Sequence, residues 1–439
     1  MTRTNTSERL CSGRHLKEKR RGVRPAAERA RGVLGGALVL AGMLCAAAAA
    51  QEWTRFRGPN GAGHGKGEAI PVRWTEKDYH WKVKLPGTGH GSPVLWGEKL
   101  FLLCADDRTA TMMLTCLSAA NGGTVWTKTY KSEDFRKNRD NHLAVGTPEV
   151  DAQRVYAVWG TRRKITVVAL DHEGKELWQR DLGPHESQHG PGMTLMVYED
   201  MVIVPNDQQG ESFVVALDAA TGKTRWKLNR PSNRAAYSTP CLRTPDGGEA
   251  EILLSSTGSG VTAVDPKTGQ VKWRCAEACP LRCVSSPVEA AGLIVVTSGT
   301  GGRGRLRAVR PGPGREAKVA YAIDRNAPYV PTPLVKGKLM FLLSDTGTAS
   351  CVQAETGKVV WQEKLPDRFY GSYVCVGDRL YCVSRTGNVY VLAAGPEFKL
   401  LAKNALGERC FTTPAIAGGR MYVRTYEHLI SLGGRKAAE

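Results

Sequence analysis

Several signatures that would name an enzyme are missing from this 439-residue chain. There is no Gly-x-Ser-x-Gly turn to raise a serine nucleophile, and no Gly-x-x-x-x-Gly-Lys-Ser/Thr loop to cradle a phosphate. Twelve cysteines are present, yet none are adjacent and none form Cys-x-x-Cys or Cys-x-x-Cys-His, which removes the spaced-thiol zinc, redox and haem readings. Cys275, Cys279 and Cys283 are evenly spaced, leaving a disulfide or a metal site open at that trio, with plain packing as the alternative. No apolar run after residue 50 is long enough to cross a membrane. Acidic residues are also in deficit, 42 against 61 Lys and Arg, for a formal charge of +19.

Part of that charge belongs to the beginning of the chain. Lys17, Lys19, Arg20, Arg21, Arg24, Arg29 and Arg31 precede an apolar run from Val33 to Ala50, which ends in Ala48-Ala49-Ala50 before Gln51. A basic region, an apolar region and a small-residue site read as a signal peptide over 1–50, cut after Ala50, with an uncleaved anchor as the alternative. Cys45 follows Gly42-Met43-Leu44, a poor lipoprotein site. The leader carries a net +7, which leaves the mature chain at +12. The expected location is therefore periplasmic or extracellular, and the expected partners are acidic or anionic. Nucleic acid is excluded by the compartment and by the even spread of charge.

What is present is repetition. Val214–Trp226 reads as a strand, a turn in which Asp218 accepts backbone amides and Gly222 supplies positive φ, and a returning strand. Ala263–Trp273 copies it: Ala216, Asp218, Gly222 and Trp226 recur as Ala263, Asp265, Gly269 and Trp273. Units open at Ser92, Thr147, Met193, Thr239, Ser286, Thr332, Ser372 and Thr413, mostly followed by Pro. They close at Trp126, Trp178, Trp226, Trp273, Tyr321, Trp361 and Leu401. That gives eight openings and seven closings. The eighth outer strand is predicted to be the isolated run around Trp81, returned from the other end of the chain. A period of about 40–50 residues with four short strands is that of a propeller blade. The prediction is all-β, an eight-bladed β-propeller over 77–432, with a Gly/Pro-rich arm at 51–76 too irregular for regular structure and a tail at 433–439. Cys116 and Cys351, ten residues before their tryptophans, are expected to be packing residues.

The phrase Ala-x-Asp-x-x-Thr-Gly-x-x-x-Trp resembles the tryptophan-docking repeat of the quinoprotein propellers. That family includes the pyrroloquinoline quinone (PQQ) dependent alcohol dehydrogenases and the non-enzymatic BamB-like assembly propellers. The arm Phe56-Arg57-Gly58-Pro59 is similar to the opening of exported bacterial PQQ-binding-like repeat proteins. The resemblance covers the chain from Trp81 onward and implies the fold. For a dehydrogenase it would also imply an adjacent cysteine pair, acidic and amide ligands for Ca²⁺, and an Asp base. The pair is absent, and Asp140, Asp207 and Asp324 are not gathered by the sequence into an oxygen cage.

Function is expected instead in the segments joining each outer strand to the next blade, which gather round one mouth of the channel. They carry His90, His142, His189, Tyr237, Tyr329, Tyr370 and Phe411, with Lys137, Arg139, Arg234, Arg282, Arg325, Arg368 and Arg409. The bland alternative is separate, solvated loop residues. His185-x-x-x-His189 has metal-pair spacing, but on a Gly-Pro-rich loop the spacing loses its meaning. Gly299–Gly304 reads as a flexible loop. Three functions fit. The first is an exported, monomeric, non-catalytic binding or scaffold propeller without cofactor, metal or catalytic residue, which meets the membrane only through a partner. Its basic, aromatic mouth would hold an envelope protein partner or an anionic or saccharide ligand. The second is a quinoprotein-like oxidoreductase using PQQ and calcium through atypical ligands; the third is another enzyme, such as a polysaccharide hydrolase or lyase, with its site in the mouth.

Overall fold

Each repeat hairpin forms as its residues dictate. Asp218 Oδ1 accepts the amides of Ala220 and Thr221 at 3.2 and 2.8 Å, and Asp265 does the same for Lys267 and Thr268. Gly222 and Gly269 close these turns at φ 68° and 70°. Eight antiparallel sheets built in this way make an eight-bladed propeller in the computed structural model, which describes residues 52–66, 70–133, 140–312, 314 and 316–434. The leader, Lys137, Arg139 and tail residues 435–439 lie outside the described residues. In chain order the innermost strands of blades one to eight are Val94–Trp96, Glu149–Val150, Met196–Tyr198, Cys241–Arg243, Val288–Ala290, Leu334–Lys336, Val374–Val376 and Ala415–Ala417. Among the described residues no helix is long and apolar enough to cross a membrane.

The ring closes as the repeat count requires. Tyr79–Lys84 pairs with His428–Gly433 and completes the eighth sheet from the N-terminal side, with Trp81 opposite Ser431. Among the described residues each of the eight sheets has its outer strand.

Tryptophan joins blade to blade. The indole N–H of Trp81 donates to Ala119 O, that of Trp126 to His172 O, Trp178 to Ala219 O, Trp226 to Pro266 O and Trp361 to Gly395 O, each in the next blade's turn. Tyr321 replaces the indole with a hydroxyl that donates to Ala354 O at 2.7 Å. Trp273 departs from the rule and donates to Glu251 Oε2. The small partner across the blade boundary is the turn glycine: a Cβ on Gly222 would lie 2.8 Å from the Trp178 ring. Ala216 is instead the cross-strand neighbour of Trp226 within one blade, as Cys116 is of Trp126 and Cys351 of Trp361. The seventh blade has no closing tryptophan, and Ile70 and Trp74 from the arm are buried in the same cluster as its Ala402 and Leu406.

The Ser/Thr openings have a second role. The amide of Ser92 donates to the Thr147 hydroxyl, Ser286 to Thr332, Thr332 to Ser372, Ser372 to Thr413, and Thr413 back to Ser92, all at 2.9–3.1 Å. These side-chain hydroxyls form a relay between blades around the inner wall.

The arm departs from the expectation of irregular chain. Glu52–Trp53 adds a strand to Val94–Trp96, and His64–Gly65 pairs in parallel with Cys375 and Val376. Between them Thr54 O accepts Val150 N, Asn60 exchanges hydrogen bonds with Leu242, and Arg57 donates to Gly61 O and Pro333 O. These partners belong to blades one, two, four, six and seven, so the arm crosses the channel from wall to wall. Trp53, Arg55 and Arg57 are buried beneath it. Burial holds the Arg57 guanidinium down to about 10. Composition missed this because the partners are backbone groups far away in sequence.

Candidate binding site in the channel mouth

In a four-stranded antiparallel blade, the connection from the fourth strand to the next blade and the hairpin between the second and third strands emerge at the same end. Both sets of loops line one cavity of about 650 Å³, and Phe56 of the arm lies among the lining residues. Because the arm spans the channel here, the cavity has a floor. It is blind.

Nine of the fourteen mouth residues expected from sequence line this cavity: His90, His189, Arg234, Tyr237, Arg282, Tyr329, Arg368, Tyr370 and Phe411. His142 stands behind the wall, buried, with Nε2 at 2.9 Å from the Thr88 hydroxyl and its ring 5.4 Å from that of His90. Arg409 is drawn away over the Tyr426 ring, 3.5 Å from its centroid. Arg325 is exposed on the outer strand Ala317–Ala327. Thr300, Gly301 and Gly302, expected only as a flexible loop, form part of the wall. Reading only the inter-blade segments missed Asp345 and Arg385, which sit in second-to-third-strand hairpins. Strand parity along each blade was the signal that could have found them.

The cavity has two unlike sides. On the side of blades seven, eight and one, charge is internally balanced: Arg385 of blade seven meets Asp140, from the segment joining blades one and two, at 2.7 Å, Tyr370 donates to the same carboxylate, and Arg385 lies 4.5 Å from the Tyr370 ring centroid. Phe411 stacks on His90 at 4.4 Å. Burial, helped by the neighbouring His142 and arginines, holds His90 well below the usual imidazole range. On blades three to five, Arg234 and Arg282 have no carboxylate partner among the described residues. Arg282 is only 5% exposed; it donates to Gln188 Oε1 at 3.3 Å and its buried Nε is unpartnered. Burial, together with these two arginines, pushes His189 below the usual imidazole range.

Asp345 stands between the sides. Its Oδ2 accepts the amides of Tyr329 and Val330 at 2.8 and 3.1 Å, while its buried Oδ1 has no partner. Burial pushes its carboxyl up to about 6, against those two amides and Arg368.

Other candidates are structural. The run His185-Glu186-Ser187-Gln188-His189 has the letters of a zinc-protease helix, but here it is irregular backbone. His185 is buried against Asn206 and His189 lines the cavity. Asp207 is buried against Arg230 at 3.2 Å, and Asp324 pairs with Arg307. Cys275, Cys279 and Cys283 are buried free thiols in one core cluster. Among the described residues no three Asp, Glu, His or Cys side chains are grouped to hold a metal ion.

The profile of the family described as "Outer membrane protein assembly factor BamB" matches residues 74–238, 163–327, 320–395 and 347–434. The chain belongs to that family. BamB of Yersinia pestis is 23% identical over 287 residues, covering 61% of this chain and 69% of that protein. A polyvinylalcohol dehydrogenase from Sphingopyxis sp. (strain 113P3) is 24% identical over 237 residues, 44% of this chain and 34% of the enzyme. Among solved structures, BamB from Moraxella catarrhalis covers 82% of this chain and 97% of its own, with a TM-score of 0.57 at 14% identity. The quinohemoprotein alcohol dehydrogenase of Comamonas testosteroni covers 88% of this chain and 81% of its own, with a TM-score of 0.50 at 14% identity. Such structural likeness speaks to the shared fold alone.

That fold invites a test for the quinone and its calcium. The ion needs six or more oxygens converging on one point. In this BamB-family chain the two acids of the cavity are spent separately, Asp140 on Arg385 and Tyr370, Asp345 on two backbone amides. No adjacent cysteine pair exists in the sequence. The residues present do not fit the calcium–quinone pair.

Proposed function

We propose that the chain is an exported, non-catalytic binding propeller of the cell envelope, whose blind cavity receives an anionic group from a ligand or a protein partner. The carrying observation is the buried Arg282 with Arg234 beside it, two cations without a carboxylate partner among the described residues. A buried guanidinium left unpaired costs several kcal/mol, an imbalance that an entering anion removes. Membership of a family described as an assembly factor supports a scaffold role over a catalyst, and the basic leader at 1–50 supports export.

The test replaces Arg234, Arg282 and Arg368 together with Gln and measures binding of anionic glycans and of acidic envelope proteins. Loss of binding with a melting temperature no lower than that of the unaltered protein is expected; unchanged binding retires the cavity as the site. Mixing the protein with PQQ and Ca²⁺ checks the oxidoreductase alternative. A quinone absorbance that co-elutes with the protein would overturn the non-catalytic reading.

A further inference from the structure

Resting on the reading of the cavity as a ligand site, we infer that its occupant is an acidic sugar, a pyranose carrying a carboxylate as in a uronic-acid residue. Three demands made by the wall have to be met by one molecule. Arg282, buried and with a free Nε, calls for an anion, and a planar carboxylate matches the guanidinium fork. Asp345 Oδ1, buried and unpartnered, calls for a hydrogen-bond donor and repels a second anion. Phe411, His90 and Tyr370, clustered with ring centroids 4.4 and 6.0 Å apart, give that part of the lining an aromatic character that suits an apolar surface.

A neutral sugar would satisfy the rings and Asp345 but leave the arginines unneutralised. A simple carboxylic acid would satisfy the arginines and leave the Asp345 oxygen orphaned. An amino acid would bring its ammonium into a field already set by Arg234, Arg282 and Arg368, where a cation is repelled. A hydroxyl is the donor that carries no such penalty. A uronic acid has its carboxylate at one edge, hydroxyls around the rim, and a C–H face whose positive edge suits an aromatic ring. The cavity volume of about 650 Å³ lies within the range of roughly 300–1,000 Å³ usual for small-molecule sites. The blind floor at Phe56 requires that a chain be read from one end, so a terminal residue enters rather than a threaded polymer.

The experiment titrates the mature protein by calorimetry with digalacturonate, cellobiose and cyclohexanecarboxylate. Digalacturonate is expected to bind, and each of the other two to bind about 10-fold more weakly or worse. Arg282→Gln should weaken digalacturonate about 10–100-fold, and the more exposed Arg234→Gln should weaken it too, which guards against a folding defect at Arg282. Asp345→Asn should weaken digalacturonate without weakening cyclohexanecarboxylate, which loses a repelling charge and no hydrogen bond. If cyclohexanecarboxylate binds as tightly as digalacturonate, the sugar inference is overturned and the anion site survives. If cellobiose binds as tightly, or if neither arginine variant changes the affinity, the inference is also overturned. If no anion binds at all, the ligand-site reading beneath it falls as well.

Discussion

The rim and the axis of the ring are built on opposite principles. At the rim one device recurs from blade to blade: an indole or phenol donates to the next blade's turn carbonyl, and where the turn carries the glycine its ring lies over that residue. At the axis the loops differ in what they place in the cavity; Arg234, Arg282, Asp345 and Arg368 come from four different loops. Copies supply cohesion, whereas selectivity comes from departures from the copy. Stability and ligand preference should therefore separate cleanly when one region is altered and the other left alone.

The largest stability effect belongs to the rim. Trp226→Ala should cost about 3–5 kcal/mol in urea unfolding, from the lost ring and the cavity left behind, with ligand affinity unchanged in the folded fraction. A pH effect should follow from the seam between arm and wall. Glu149 is buried with Arg55 at 3.9 Å, and burial pushes its carboxyl up to about 7. It holds its proton more tightly folded than unfolded, as does Asp345, so the stability these two groups contribute should fall as pH rises from about 4 to about 7. Glu149→Gln should remove up to about 3 kcal/mol of that fall, read as a flatter urea midpoint against pH. Arg57→Ala, which strips Gly61 O and Pro333 O of a charged donor, should cost about 2 kcal/mol and quicken amide exchange in residues 52–66. Arg234→Gln at the axis should change stability by less than about 0.5 kcal/mol while lowering affinity for anions, the reverse of the rim variant. If Arg234→Gln destabilises as Trp226→Ala does, the two regions are not separable.

The same contrast explains what could be read in advance. Asp218, Gly222 and Trp226 announce themselves because their roles are local and repeated, and the unpaired strand at Trp81 follows from counting. The arm could not be read that way. Arg57 and Asn60 reach Pro333 and Leu242 with their side chains, but the partners Leu242, Pro333 and Cys375 answer with backbone groups, so no side-chain pattern marks them. His142 and Arg409 stand on the right segments, but Thr88 and Tyr426 draw them off the cavity surface. Whether a loop side chain reaches the axis depends on local competition of this kind, which loop composition does not encode.

Tyr79–Lys84 and the arm at 52–66 are made early, yet the strand's partner is His428–Gly433 and the arm's partners include blades six and seven. Until the last hairpin exists, Tyr79–Lys84 has no strand to pair with and the arm has only part of its partners. Assembly of the ring is thus an all-or-nothing event timed by the far end of the chain, with loop closure over some 350 residues as its final step. A chain passing through a membrane in extended form would stay unlatched until nearly all of it had crossed, and would then lock at its beginning.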